Sequence, residues 1–435
     1  MELRSYQRLA VAHMLAMVTG PRRRCVYVAP TGSGKTVIFC AAIEQLVARG
    51  FRVAVIVERN DLVQQTHKHL IEDGGLDPQM IGVINAGDRA SRGGLSRVLP
   101  EAAVQVCSVQ TLAGILRRGE CLPEFQVLVV DECHHVAAES YKRLFAMFPS
   151  AWIIGCTATP QRGDGKALGV VFDELLEIVR YSQLLALPDE ERPIVGCDVY
   201  RPPIDCLVDG LAQDPLFAWM RYALGTKAMV YVRSIAEAES TCTSFNAAGV
   251  ACGVVHSEMD ARERALVMER FRSNELLVLV NVYVLTEGIN IPDVETIVLA
   301  RKCEHAGTFV QIAGRALRAF PGKRRALLID LTGASYRHGL PTDDREHSLD
   351  GAGVGDAIAS SPCVGRALDI ERSPSQWQVL DVDLVSADGS PVRLTLPTKF
   401  ARLEMFARMR GYPRAWVNRV MGALPGALSI GAANG

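Results

Sequence analysis

The sequence predicts an α/β protein made of two tandem, doubly wound parallel-sheet domains and a small, mainly helical C-terminal module. Three observations lead there. Short runs rich in Val, Ile and Leu alternate with helical stretches through the first three quarters of the chain. These runs are apolar throughout rather than at every second position, as expected for parallel strands covered by helices on both faces. They also fall into two series, at residues 25–29, 53–57, 104–108, 127–130 and 152–156, then 228–232, 251–255, 276–280, 296–300 and 326–330. One series per sheet gives two domains, and a length of 435 residues agrees, at roughly 150 residues per domain.

Between the series, Pro188, Pro193, Pro202 and Pro203 mark residues 187–207 as a linker. The first domain is then 1–186, the second 208–335, and the accessory module 336–435. Residues 350–361 are rich in Gly, Ala and Ser and read as a flexible connection. Beyond it, Phe400, Leu403, Phe406 and Ala407 fall at helical spacing, and Trp416, Val417 and Val420 suggest a second helix. Arg393, Lys399, Arg402, Arg408, Arg410, Arg414 and Arg419 accompany them against Glu404 alone, a basic face suited to nucleic acid.

Net charge is −1, so a nucleic-acid surface must be a local patch rather than a global bias. The N-terminal residues carry no long apolar core, so no export signal is expected. The run 276–285 is interrupted by Asn281 and is about half a membrane span, which makes it a buried strand. The 12 cysteines include no C-x-x-C, arguing against a zinc ribbon or a secreted disulfide framework. Small buried hydrophobes in a reducing cytoplasm is the expectation.

The chemistry begins at Ala29-Pro-Thr-Gly-Ser-Gly-Lys-Thr36, between a strand and a helix start. Gly32 and Gly34 let the backbone of Pro30, Thr31, Gly32, Ser33 and Gly34 curl so that its N–H groups point inward. The helix N-terminus adds partial positive charge. Lys35 can then reach the β- and γ-phosphates of a nucleotide, and Thr36 can ligate Mg²⁺. Ala29 stands where the eight-residue form of such loops has Gly. Alone, the loop says only that a phosphate is bound. Ahead of it, Gln7 can read an adenine through its amide, donating to N7 and accepting from N6. Val127-Leu-Val-Val-Asp131 brings Asp131 and Glu132 to the carboxyl end of an apolar strand, where open α/β sheets bind ligands. Asp131 fits a holder of Mg²⁺, and Glu132 a base for an attacking water. His134 and His135 follow without a third metal ligand at suitable spacing, so His134 is expected to hydrogen-bond. Thr157 and Thr159 place two hydroxyls after another strand, near the same sheet edge.

With these residues in order, the chain resembles a superfamily 2 DExH-type helicase or translocase, its DECH at Asp131–His134. Further segments match in sequence. Arg59-Asn-Asp-Leu-Val-Gln-Gln65 and Ser108-Val-Gln-Thr-Leu112 resemble segments that touch the nucleic-acid backbone. Met229–Arg233, Val255-His256, Arg264 and Phe271 resemble motif IV and its follower, Leu285–Asp293 motif V, and Gln311-Ile-Ala-Gly-Arg-Ala-Leu-Arg318 motif VI. The likeness covers about residues 3–335. Within the superfamily, Thr157–Gly165, Thr286-Glu-Gly, Arg337–Glu346 and the late Lys399-Phe run resemble RadD-like and phage-type DNA helicases. Asn290 stands where motif V commonly has Asp, and no cysteine cluster matches the zinc site of some relatives.

The resemblance implies two RecA-like domains and ATP with Mg²⁺. Lys35, Asp131, Glu132, Gln311, Arg315 and Arg318 would be catalytic, with Arg315 and Arg318 one turn apart on a helix of the second domain and aimed at the γ-phosphate. Arg4, Gln7 and Gly288 join the loop in holding the nucleotide, and His134, Thr157 and Thr159 couple it to the nucleic-acid side. Arg59, Gln65, Thr111 and Thr286 would contact the nucleic-acid backbone. The function implied is an ATP-dependent DNA helicase or translocase of repair, recombination or replication, acting on single-stranded or forked DNA. It is expected in the cytoplasm of a bacterium or a phage-infected cell, associated with the nucleoid and not with a membrane. An RNA helicase, an ATPase that remodels a partner without unwinding, and a restriction-system motor are the other readings.

Overall fold

A computed structural model describes residues 2–58, 60–84, 101–119, 122–135, 139–160, 167–202, 211–282, 291–350, 357–359, 364–367, 382–385 and 391–394. It divides into two units, Met1–Ile194 with His305–Gln311 and Thr342–Ser361, and Val195–Glu304 with Ile312–Pro341 and Pro362–Gly435.

The first unit is built on seven strands, β1 (Arg24–Val28), β2 (Val53–Val57), β3 (Ile81–Ile84), β4 (Val104–Ser108), β5 (Val127–Asp131), β6 (Trp152–Thr157) and β7 (Glu174–Glu177). Their order is β3-β4-β2-β5-β6-β1-β7, and the pairings are parallel throughout. Helices α1 (Ser5–Met17), α2 (Lys35–Ala48), α3 (Asn60–Glu72), α4 (Val109–Arg117), α5 (Glu139–Met147) and α6 (Tyr181–Leu185) accompany them. Val53–Val57 is buried at every position, which is why its apolar pattern does not alternate. On one face Ile56, Leu128, Val130 and Ile153 pack with Tyr141, Phe145 and Phe172. Gly155 belongs to this packing, since a Cβ there would sit 2.7 Å from the Phe172 ring and 2.8 Å from Cys133 Sγ.

The second unit has β8 (Gly196–Arg201), β9 (Ala228–Tyr231), β10 (Cys252–Val255), β11 (Val278–Asn281), β12 (Thr296–Leu299) and β13 (Arg325–Asp330). Its helices are α7 (Pro215–Tyr222), α8 (Ile235–Ala247), α9 (Ala261–Arg272), α10 (Ala306–Leu317, its first half grouped with the first unit) and α11 (Ala334–His338). Two short strands, β14 (Asp344–Arg345) and β15 (Ala357–Ala359), pair antiparallel in the first unit; β16 (Val364–Ala367) then joins the second sheet, giving the order β10-β11-β9-β12-β13-β8-β16. Val230, Val278, Val280 and Ile329 form its core with Trp219 and Phe245, whose rings meet edge to face at 5.6 Å. Lys227, fully buried, is neutralised by Asp293 at 2.7 Å and also donates to Asn274 at 3.0 Å.

All ten expected strands are present within one or two residues. Two expectations need correction. The stretch 187–207 is not wholly a linker: β8 lies inside it and pairs with β13 over Gly196–Tyr200, so its prolines flank a strand. The module 336–435 is not helical in its described part beyond α11. It contributes β14 to β16 and an antiparallel pair, β17 (Val382–Val385) with β18 (Pro391–Leu394), while the helices expected around Phe400 and Trp416, with their basic residues, lie outside the described residues. Nine cysteines are described, all free and buried. Among the described residues no helix is long and apolar enough to cross a membrane.

The return of Thr342–Ser361 to the first unit puts charge in its interior. Thr342, Asp343, Asp344 and Arg345 are buried, and Asp344 accepts from the Ser182 N–H at 3.1 Å and its hydroxyl at 2.5 Å. Burial, with the Arg345 and Arg180 cations beside it, pushes the His347 imidazole down to about 4. Unfolded, it titrates near its ordinary 6.5. Between these values the folded protein holds fewer protons, so this stability is present above pH 6.5 and lost as pH falls towards 4. Thermal melts across that window should show a smaller fall in Tm for His347→Gln than for the wild type. Equal slopes would contradict the burial of a neutral imidazole.

Candidate nucleotide site

The loop after β1 closes through its own backbone, with Ser33 N–H on Pro30 O at 3.1 Å and Ala29 N–H on Thr157 O at 3.1 Å. Gly32 and Gly34 sit at φ 88 and 84, a region that costs other residues roughly 1–2 kcal/mol. Gly34 is required twice over, since a Cβ there would meet Gln7 Nε2 at 2.6 Å. Its residue is also the N-cap of α2, so the helix begins on the loop and its first N–H groups face the loop's hollow. Lys35 Nζ reaches back to Ala29 O at 3.2 Å, spanning the mouth. Ser33 is fully buried and its hydroxyl has no partner among the described residues.

α1 supports this loop from behind. Tyr6 Oη donates to Ser33 O at 2.6 Å and Gln7 Nε2 to the same oxygen at 3.3 Å. Gln7 Oε1 accepts the Arg4 N–H at 2.9 Å, closing the start of α1, and Arg4 Nε donates to Glu191 O at 2.7 Å. Gln7, expected only as an adenine reader, is therefore a buried brace of the phosphate loop. Tyr6 was not foreseen in the sequence. The available signal was its place beside Gln7. Tyr181 was also unforeseen: it lies beside Thr31, and burial pushes its phenol up to about 12, against Arg345 and Thr31.

Strand order explains the placement of the acids. β6 lies between β5 and β1, with Asp131 opposite Cys156 and Val28 opposite Thr157. Asp131 and the phosphate loop thus share one carboxyl edge, two strand spacings or roughly 10 Å apart, with Thr157 between. Asp131 Oδ1 accepts the Glu132 N–H at 3.0 Å. Glu132 has φ 45, rare for a residue with a side chain and worth roughly 1–3 kcal/mol of strain of the kind found at working sites. Its Oε2 lies 3.4 Å from Thr157 Oγ1 and 3.5 Å from His134 Nδ1, and His134 Nδ1 is 3.1 Å from the same hydroxyl. Thr157 Oγ1 also accepts the Thr159 N–H and faces Thr159 O, each at 3.1 Å. A hydroxyl has one proton to give, so Glu132, His134 and Thr159 compete for it. Burial drives the thiols of Cys133 and Cys156 well above their ordinary value, leaving them inert beside the acids.

Thr36 lies in the first turn of α2, partly buried. Gln65 lies on α3 and is partly buried. Thr111 is buried and its hydroxyl meets Ser108 Oγ at 2.9 Å, so it helps start α4. Arg59, Thr286, Gly288 and Asn290 lie outside the described residues. Gln311 Nε2 is 3.5 Å from Thr159 Oγ1, at the limit of a hydrogen bond. Arg315 is buried on α10. Arg318 is not on that helix, which ends at Leu317. Pro321 follows closely and cannot continue a helix. The two cations remain neighbours: burial and the Arg315 charge push the Arg318 guanidinium down to about 10.

Residues 1–162 match the family described as "Type III restriction enzyme, res subunit", and residues 213–320 the "Helicase conserved C-terminal domain". Together the two matches support a superfamily 2 helicase. The chain is similar to the putative mitochondrial ATP-dependent helicase irc3 of Schizosaccharomyces pombe, 27% identical over 371 residues, covering 79% of the chain but only 59% of that relative. It is also similar to the DNA 3'-5' translocase XPB2 of Sulfurisphaera tokodaii, 25% identical over 387 residues, 76% of the chain and 81% of the relative. In fold it resembles a fragment of a putative HsdR subunit of a type I restriction enzyme from Vibrio vulnificus, with a TM-score of 0.61 at 19% identity over 89% of this chain and 70% of that one. Tandem RecA-like sheets are the fold these likenesses share.

Proposed function

We propose that this chain is an ATP-hydrolysing motor that moves along or unwinds DNA, single-stranded or forked, with weak sequence preference. The observation that carries the reading is the strained Glu132 beside Asp131, on the same sheet edge as the phosphate loop, in a superfamily 2 chain. The loop's residues fit a phosphate: left-handed glycines, a helix N-terminus, an unpartnered buried hydroxyl at Ser33 and a lysine across the mouth. Thr36 and Asp131 are the residues that would hold Mg²⁺, which neutralises phosphate charge when bound. Lys35 would hold the β- and γ-phosphates, and Glu132 would take the proton of the attacking water. Arg4 and Gln7 would meet the base, Gln7 with the N–H and lone pair its loop contacts leave over.

In this reading Gln311, Arg315, Arg318 and Gly288 meet the nucleotide from the second of two motor domains, 208–335, when it closes on the first, 1–186. Two adjacent, partly desolvated guanidinium groups are relieved by an anion, which supports Arg315 and Arg318 as partners of the γ-phosphate. His134, Thr157 and Thr159 would pass nucleotide state to a strand held by Arg59, Gln65, Thr111 and Thr286. Such backbone contacts position without reading bases, and the affinity should fall steeply with salt. A cytoplasmic, nucleoid-associated place in a bacterium or phage-infected cell follows from a DNA substrate. Strand displacement on a forked duplex tests the proposal. ATP-dependent separation is expected. Displacement of a bound protein without strand separation would make the chain a translocase, as the name of the Sulfurisphaera tokodaii relative suggests. Neither activity would overturn the reading.

A further inference from the structure

The end of α10 is held by a buried cation. Lys323 follows a turn in which Gly322 takes φ 83 and the Lys323 N–H returns to Phe320 O at 2.9 Å. It is 9% exposed, and its ammonium donates three hydrogen bonds, to Arg318 O at 2.9 Å, Val294 O at 2.6 Å and Pro292 O at 3.1 Å. An ammonium has three donors and no acceptor, so these carbonyls use it completely. Desolvating a cation is costly, and burial pushes the Lys323 ammonium down to about 8, with Arg318 acting in the same sense and Glu295 and Asp293 opposing. Water or a tightened last turn can satisfy the last carbonyls of a helix without that cost. The placement of the three carbonyls gives the charge its purpose. One belongs to Arg318 itself. Of the other two, Pro292 lies within Leu285–Asp293, the segment resembling motif V, and Val294 directly follows it. Lys227, paired with the Asp293 carboxylate, holds the same stretch from its side chain.

We propose that Lys323 is a positioning residue for ATP hydrolysis, locking the Arg318 backbone, and with it the Arg315–Arg318 pair, against residues 292–294. The inference rests on the reading of those arginines as the cations that meet the γ-phosphate. A misplacement of about 1 Å can cost roughly 100-fold in rate, and a three-point tie prevents one.

The test compares kcat, KM for ATP and Tm in the full chain for Lys323→Met, Arg318→Ala and Phe245→Leu, the last a change on α8 in the core of the second unit chosen to lower Tm. Lys323→Met keeps the packing of the stem and removes the donors. It is expected to lower kcat about 10- to 100-fold with KM within about threefold, while Phe245→Leu keeps kcat below its own Tm. Should Lys323→Met fail to fold, Lys323→Arg is read in the same way, since it keeps a cation and loses the three-point geometry. Normal kcat in Lys323→Met with Arg318→Ala inactive would overturn the tie and leave the arginine reading intact. Normal kcat in both would overturn the arginine reading. Equal loss of kcat in Lys323→Met and Phe245→Leu at matched Tm would overturn the positioning role.

Discussion

Lys35→Ala is expected to abolish ATP turnover, lowering kcat by about 10²–10³ or more, the scale on which one preorganised charge donor acts on a developing anion. The same change should leave the fold nearly untouched. The hydrogen bond recorded for the ammonium goes to Ala29 O, and one such bond contributes on the order of 1 kcal/mol. The loop keeps its shape through Gly32, Gly34, Tyr6 and Gln7, none of which depends on Lys35. ATPase rate and Tm measured together check both halves. Turnover near the wild-type rate would remove the phosphate-loop assignment, and a collapse of Tm would show that Lys35 is structural.

Glu132→Gln should separate binding from hydrolysis. Gln has the same shape, tolerates φ 45 no better or worse, and can still accept the Thr157 hydroxyl proton at 3.4 Å. What it lacks is basicity. A positioned general base contributes typically 10²–10⁴-fold, so kcat should fall on that scale with ATP affinity within a few-fold. Single-turnover hydrolysis and nucleotide titration of the same preparation measure both. Retained turnover would mean that another group takes the proton, and His134, 3.5 Å from Glu132, is the next to test.

Much of this site was legible in the sequence because it is local. A phosphate loop is one contiguous stretch, and buried central strands such as Val53–Val57 advertise themselves by continuous apolar runs. Edges were not legible. Glu174–Glu177 has an acid at each end and half-buried positions throughout, so its pairing with β1 is decided by the neighbour and not by its own pattern. Gly196–Arg201 hides among prolines for the same reason, deriving its strand character from β13. The contacts that shape the acids were also out of reach. The φ of Glu132 and the sharing of one Thr157 proton depend on how β5 and β6 align, and the two residues are 25 apart in sequence. Motif VI shows the limit from another side: its spacing named Arg315 and Arg318, but the helix stops at Leu317, and the lysine that fixes the end lies outside the pattern.

The measurement that bears most directly on the central claim is the steady-state ATPase rate titrated with single-stranded DNA, with RNA of the same sequence in parallel. The motor reading predicts a rate that rises at least about tenfold and saturates with single-stranded DNA, loses that stimulation as salt is raised, and responds weakly to RNA. Stimulation by RNA alone would reassign the substrate. A rate indifferent to any nucleic acid would contradict the account.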